Sequence, residues 1–131
     1  MYRAREKQMS IYDYLPPYHG ELCNANRWVR LAAAIDWDSF EKAYSALFAP
    51  GGKVALPARV ALGCRIIQLH YAASDREVVA LVQESPYLQY FLGFESFTDA
   101  VPFSSRTVAR FRARIPDKAV RPAVRLLRSF Q

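Results

Sequence analysis

Three arginines spaced four residues apart near the end of the chain are the side chains best suited to bind an anion. They are Arg106, Arg110 and Arg114. At ~100° per residue, a helix places them within about 80° of one another, in a row about 12 Å long. A guanidinium can donate two parallel hydrogen bonds to phosphate or to the edge of guanine. Because the row matches the ~12 Å width of the B-DNA major groove, the spacing predicts contact with double-stranded DNA.

The other residues of segment 104–115 fit the same helix. Val108, Phe111 and Ile115 fall on the opposite side, where they predict a buried face. Hydroxyl side chains stand at the predicted helix start, where they and free backbone N–H groups suit phosphate. The predicted DNA-binding residues are Ser104, Ser105, Arg106, Thr107, Arg110, Arg112 and Arg114. The alternative is a solvated basic face, or arginines paired with acids elsewhere in the fold.

The distribution of charge supports a polyanionic partner. The net charge is +6, yet residues 1–103 hold 10 basic and 11 acidic side chains. Residues 104–131 hold eight basic side chains and one acid, Asp117. The positive excess therefore lies in the last fifth of the chain, which favours nucleic acid or an acidic membrane surface as the partner.

Two classes of protein are disfavoured by the sequence. No segment approaches the ~20 apolar residues of a membrane-spanning helix, and the N-terminus lacks the apolar run of a secretory signal. Cys23 and Cys64 have no neighbouring cysteine or histidine at metal-ligand spacing, so we expect reduced, packed thiols. These features predict a cytoplasmic protein without contact to a membrane.

Apolar periodicity and capping signals predict an all-α fold, a compact bundle of six to seven short helices. Residues 1–20 form an irregular lead-in, and Pro50-Gly51-Gly52 forms a turn. Predicted helices begin near Asn24, after Asp36 as N-cap, at Pro57, after a Ser74/Glu77 capping box, at Ser85-Pro86 with Gly93 at its end, at Ser104, and near Val120. The broad apolar surface of the third helix predicts that it is the central one.

The last predicted helices resemble a helix-turn-helix with an unusually long connection, in which the helix after Ser74 supports the one after Ser104. We expect a helical DNA-binding domain over residues 21–116. Residues 117–131 then form a basic amphipathic helix that starts a linker. Its apolar positions, Val120, Val124, Leu127 and Phe130, are an alternative docking face for a partner chain.

No residue pattern predicts catalysis, a metal site or a cofactor. Asp36 and Asp38 suit helix starts, and Glu77 is half of a capping box. His19 and His70 have no partner at ligand or triad spacing. We therefore expect a protein that is not an enzyme.

Several stretches together resemble the N-terminal domain of insertion-sequence-five-like, DDE-type bacterial transposases. They are residues 31–37 with the helix 40–48, then 56–59, 74–77, 84–93 and 102–114. The resemblance implies an all-helical module that helps to recognise the terminal inverted repeats of its element. In that family the module precedes an RNase-H-like domain whose three carboxylates hold the catalytic metals. We expect that domain to be absent, because the sequence stops at Gln131.

Three functional hypotheses follow. The first is a truncated transposase that binds the double-stranded DNA of element ends. The second is a stand-alone regulator or inhibitor of transposition. The third is a protein–protein docking module, in which the apolar face of the last helix is exposed and drives self-association. The partners expected are double-stranded DNA at element ends and, as an alternative, a second copy of the chain or a full-length transposase.

Overall fold

Seven α-helices and no strands make up the part of the chain that a computed structural model describes, residues 22–45 and 57–130. The helices are α1 (Arg27–Ala34), α2 (Trp37–Ser45), α3 (Ala58–Tyr71), α4 (Asp75–Glu84), α5 (Pro86–Phe91), α6 (Ser105–Arg114) and α7 (Asp117–Ser129). The all-α class and the number of helices are confirmed. The predicted lead-in and the Pro50-Gly51-Gly52 turn lie outside the described residues.

Local capping signals determine where most helices begin. The Ser74 hydroxyl accepts a hydrogen bond from the N–H of Glu77, and the Glu77 carboxylate accepts one from the N–H of Ser74, which confirms the predicted capping box. Asp36 caps α2 through the N–H of Ser39. Asn26 accepts from the N–H of Trp28, so α1 begins at Arg27, a few residues after the predicted start.

Helix α3 is the centre of the molecule, as its breadth of apolar residues predicts. Its side chains are buried without interruption from Arg59 to Gln68, and α2, α4, α6 and α7 all pack against it. Gly63 lets α5 approach closely, since a methyl group there would collide with the side chain of Leu92. Pro57 precedes the first helical residue of α3 instead of occupying that position.

The last helix packs into the same core as the others. Val120, Val124 and Leu127 of α7 are buried, and α7 packs against α3 and α1. The guanidinium of Arg30 lies 4.3 Å above the ring of Phe130. The predicted exposure of this apolar face is wrong, because α1 and α3 cover the positions on which a docking partner would depend.

The two cysteines differ in their surroundings. Cys64 is buried, and its burial raises the pKa of its thiol. Cys23 is exposed, and its backbone N–H donates to the hydroxyl of Tyr87. Both thiols are free, so the prediction of packed thiols is correct for Cys64 and wrong for Cys23, which lies outside the apolar periodicity of α1.

Candidate nucleic-acid interface

Helix α6 has the orientation that its sequence predicts. Val108 and Ile115 are fully buried and Phe111 is nearly so, whereas Arg106 and Arg110 are exposed. Arg114 is also exposed, at the last position of the helix. The arginine row therefore faces outward from a helix that is anchored by its other side. A role of this row in DNA binding stays a prediction.

The start of α6 leaves backbone donors without a side-chain cap. Ser104 occupies the N-cap position, but its hydroxyl makes no capping bond and lies 3.5 Å from the hydroxyl of Thr107. The first N–H groups of a helix have no partner within the helix. Together with Ser105, these groups form a cluster of donors that suits a phosphate oxygen.

Arg112 forms an ion pair with an acid of another helix. Its Nε and NH2 atoms donate to the two carboxylate oxygens of Asp75 at 3.1 and 2.9 Å. Asp75 is the first residue of α4, so this bridge joins the start of α4 to the end of α6. The acid lies 37 residues away in the sequence, which is why the pattern around α6 does not reveal it.

The bridge also affects how Asp75 titrates. Hydrogen bonds from Arg112 and then from Gln68 hold the pKa of Asp75 below its usual value. A carboxyl group with a lowered pKa stabilises the fold at pH values above its unfolded pKa. That contribution is lost as the pH falls through the folded pKa, so the contact weakens only in acid.

A buried guanidinium holds α6, α7 and α4 together. Arg65 of α3 is only 3% exposed. It donates to the carbonyl of Ile115 at 2.8 Å, to the side-chain oxygen of Gln68 at 2.7 Å and to the carboxylate of Asp117. Gln68 in turn donates to Asp75 at 2.8 Å. Because a buried charge needs partners, Arg65 ties the end of α6 and the starts of α7 and α4 to the central helix.

This network was not predicted from the sequence. A signal was present, since Arg65 stands in the middle of an apolar helix where a charged side chain would meet the core. Gln68 is three residues along the same helix, but Ile115 and Asp117 are 50 and 52 residues away, and no local spacing predicts that they converge on Arg65.

A shallow groove runs between the starts of α4 and α6. It is lined by Ser74, Asp75, Arg76, Ser105, Arg106 and Ala109. Arg76 is exposed here and adds a positive charge that the sequence analysis did not assign to the interface. The groove thus combines two guanidinium groups with the uncapped start of α6.

The chain matches a known protein family over most of its length. A family model described as a transposase domain, DUF772, matches residues 11–114. The chain belongs to this transposase-domain family.

One relative of this transposase domain is a Rhizobium meliloti protein described as "Uncharacterized protein ORF8 in nfe locus". It is 37% identical over 87 residues, which cover 66% of this chain and 42% of the relative. The chain thus spans about two fifths of the length of the relative it matches. No solved structure matches the chain.

The long connection between α4 and α6 of the transposase domain is held by side-chain amides. Gln89 is fully buried and donates to the carbonyls of Val82 at 2.9 Å and Thr98 at 2.6 Å, while its oxygen accepts from the N–H of Thr98. Gln83 donates to the carbonyl of Asp99. Helices α4 and α6 pack against each other directly, and these bonds fasten the connecting loop beside them.

Residues 22–45 and 57–130 of the transposase domain contain neither a cluster of metal-binding side chains nor a membrane-spanning helix. No three His, Cys, Asp or Glu side chains there are grouped to hold a metal ion. None of the helices in these ranges has both the length and the apolar character to cross a bilayer. The described acids have other partners in several cases: Asp36 caps α2, Glu77 closes the capping box, and Asp75 and Asp117 bind arginines.

Proposed function

We propose that this transposase domain is the N-terminal DNA-recognition module of an insertion-sequence-five-like, DDE-type transposase. In this proposal, α6 enters the major groove at the terminal inverted repeats of the element. The outward row of Arg106, Arg110 and Arg114 carries the proposal. Because transposases act on DNA, membership of a transposase family favours DNA as the partner, and the arginine row is a surface that fits DNA.

The chemistry of α6 suits both parts of DNA recognition. Ser104, Ser105 and Thr107 stand with free N–H groups at the helix start, where contacts to phosphate set the register. Arg110 and Arg114 lie further along, where a guanidinium fork can distinguish guanine from other bases. Ala113 between them is small, so the helix backbone can approach the groove closely.

Within this proposal, α4 supports α6 as the first helix of a variant helix-turn-helix. The Asp75–Arg112 bridge and the buried Arg65 set the position of α6 against α4. Arg76 extends the interface across the groove, where it suits a phosphate on the duplex backbone. Arg112 then acts chiefly by positioning α6.

We also propose that the described module binds DNA without cutting it. Asp75, which contacts α6, and Asp117, at the start of the next helix, are each paired with a guanidinium. Two-metal strand transfer needs carboxylates that converge on ions ~4 Å apart. Asp75 and Asp117 are instead paired with arginines that hold helices together.

The recognition role is tested with a mobility-shift assay on two duplexes, one carrying the inverted repeat that flanks the gene and one with the same bases scrambled. We expect tighter binding to the repeat. The double variant Arg110→Ala/Arg114→Ala should lose this preference, because a good arginine–guanine pair supplies about 1–3 kcal/mol of discrimination.

The matched control is Arg27→Ala/Lys42→Ala, which removes the same charge from α1 and α2 and should keep the preference. If about four phosphates are contacted, log affinity falls with log salt at a slope near −4. Equal affinity of the unmodified protein for both duplexes would overturn the proposal.

A further inference from the structure

Helix α7 carries a second row of positive charges, outside the segment that matches the transposase domain. The row consists of Lys118, Arg121, Arg125 and Arg128, all exposed. At ~100° and ~1.5 Å per residue, these positions lie within about 80° of one another and span about 15 Å. We propose that these four side chains bind the phosphate backbone of the DNA duplex that α6 recognises, a proposal that rests on the function proposed above.

The charges of this row are not neutralised within the described part of the chain. Asp117 is the only acid of α7, and it is bound to the buried Arg65. No ion pair joins Lys118, Arg121 or Arg125 to a residue in the described ranges. Arg128 donates to the carbonyl of His70 at 3.3 Å, a contact that holds its side chain but leaves its charge in place.

The row is held in a fixed relation to α6. Arg65 binds both the carbonyl of Ile115 at the end of α6 and the carboxylate of Asp117 at the start of α7. Both helices also pack against α3. Lys118 follows Arg114 by four residues, so the positive charge continues from one helix to the next without an intervening acid other than the paired Asp117.

The burial of α7 favours DNA over an acidic membrane surface. Helices that lie on membranes insert an apolar face into the lipid. The apolar face of α7 is already covered, since Val120, Val124 and Leu127 are at most 3% exposed. The outward face of α7 carries the four cations, and Leu126 is its one large hydrophobic side chain with substantial exposure, at 39%. One strand of duplex DNA presents a charge every ~3.4 Å of axis, so about four phosphates fall within the length of the row.

The test is a salt titration of binding to the repeat and scrambled duplexes with the variant Arg121→Gln/Arg125→Gln. Glutamine keeps the helix propensity and removes the charge. We expect weaker binding to both duplexes by the same factor, about tenfold or more at ~0.1 M salt, and a salt slope reduced by about 2. The preference for the repeat should be unchanged, because phosphate contacts carry no sequence information.

Arg27→Gln/Lys42→Gln is the matched control, with the same loss of charge on α1 and α2, and it should change the slope by less than half as much. An unchanged slope in the α7 variant would overturn this inference while leaving recognition by α6 intact. If the unmodified protein binds both duplexes equally and the α7 variant still has a reduced salt slope, specific recognition by α6 is overturned. Phosphate binding by α7 is then supported on its own. Binding to phosphatidylserine vesicles that the α7 substitutions abolish, without a change on DNA, would overturn the inference in favour of a membrane.

Discussion

Helices α6 and α7 have similar compositions and contrasting roles for their charged residues. Each packs an apolar face against α3 and presents arginines spaced three or four residues apart. In α6, Arg112 is turned to Asp75 of α4 and helps to position the helix. In α7, the acid Asp117 is turned to the buried Arg65, and the cations remain outside.

This contrast shows that the spacing of apolar residues in a helix predicts which side chains are buried. Acids distant in the sequence decide which of the exposed arginines are held in ion pairs within the fold. Asp75 and Asp117 are the acids that pair with arginine in the described ranges. Asp75 forms an ion pair with Arg112, which the sequence pattern predicts to bind DNA. Asp117 forms an ion pair with the buried Arg65, which fixes the start of α7 beside the end of α6.

The largest expected effect concerns whether α7 belongs to the fold or behaves as a linker. Leu127→Ala should lower the free energy of unfolding by about 3 kcal/mol, because it removes a fully buried side chain and leaves a cavity. Urea denaturation followed by circular dichroism measures this. The adjacent Leu126 is 39% exposed, so Leu126→Ala is the matched control and should cost little. Equal midpoints for the two variants would mean that α7 is not packed as described.

A smaller loss of stability is expected when Arg65, which joins α6 to α7, is replaced. Arg65→Met should lower the free energy of unfolding by about 2 kcal/mol, because the carbonyl of Ile115 and the carboxylate of Asp117 lose their partner. The cost is less than for a fully buried pair, since the Asp117 side chain is 50% exposed and water can replace the contact. Arg76→Met, at an exposed position, is the control for urea denaturation. A variant as stable as the unmodified protein would show that the network does not hold the helices.

The smallest effect separates two arginines of α6. Arg110→Gln should reduce the salt slope of DNA binding by about 1, as expected for a lost DNA contact. Arg112→Gln should reduce it by less than half of that, because Asp75 already offsets its charge. The two variants differ equally from the parent in net charge, so each serves as the control for the other. A full unit of change for Arg112→Gln would mean that Arg112 leaves Asp75 when DNA binds.

Local sequence signals determined most of the secondary structure. The Ser74/Glu77 box, the Asp36 cap and the Ser85-Pro86 start are interactions between residues at most three apart, so a short sequence contains all of their partners. The orientation of α6 is likewise local, since the spacing of Val108, Phe111 and Ile115 defines its buried face. The end of α6 follows from Pro116, but α7 begins at Asp117, three residues before the start predicted near Val120, because Pro116 serves as its N-cap.

Only the tertiary structure decided how these helices are joined and which charges they leave outside. The contacts of Arg65 with Ile115 and Asp117 cross 50 and 52 residues, and that of Arg112 with Asp75 crosses 37. Such pairs form when packing on α3 brings distant segments together, and no helical period contains them. For the same reason the spacing of apolar residues in α7 predicts an apolar face but not which elements cover it. The tertiary structure shows that α1 and α3 do.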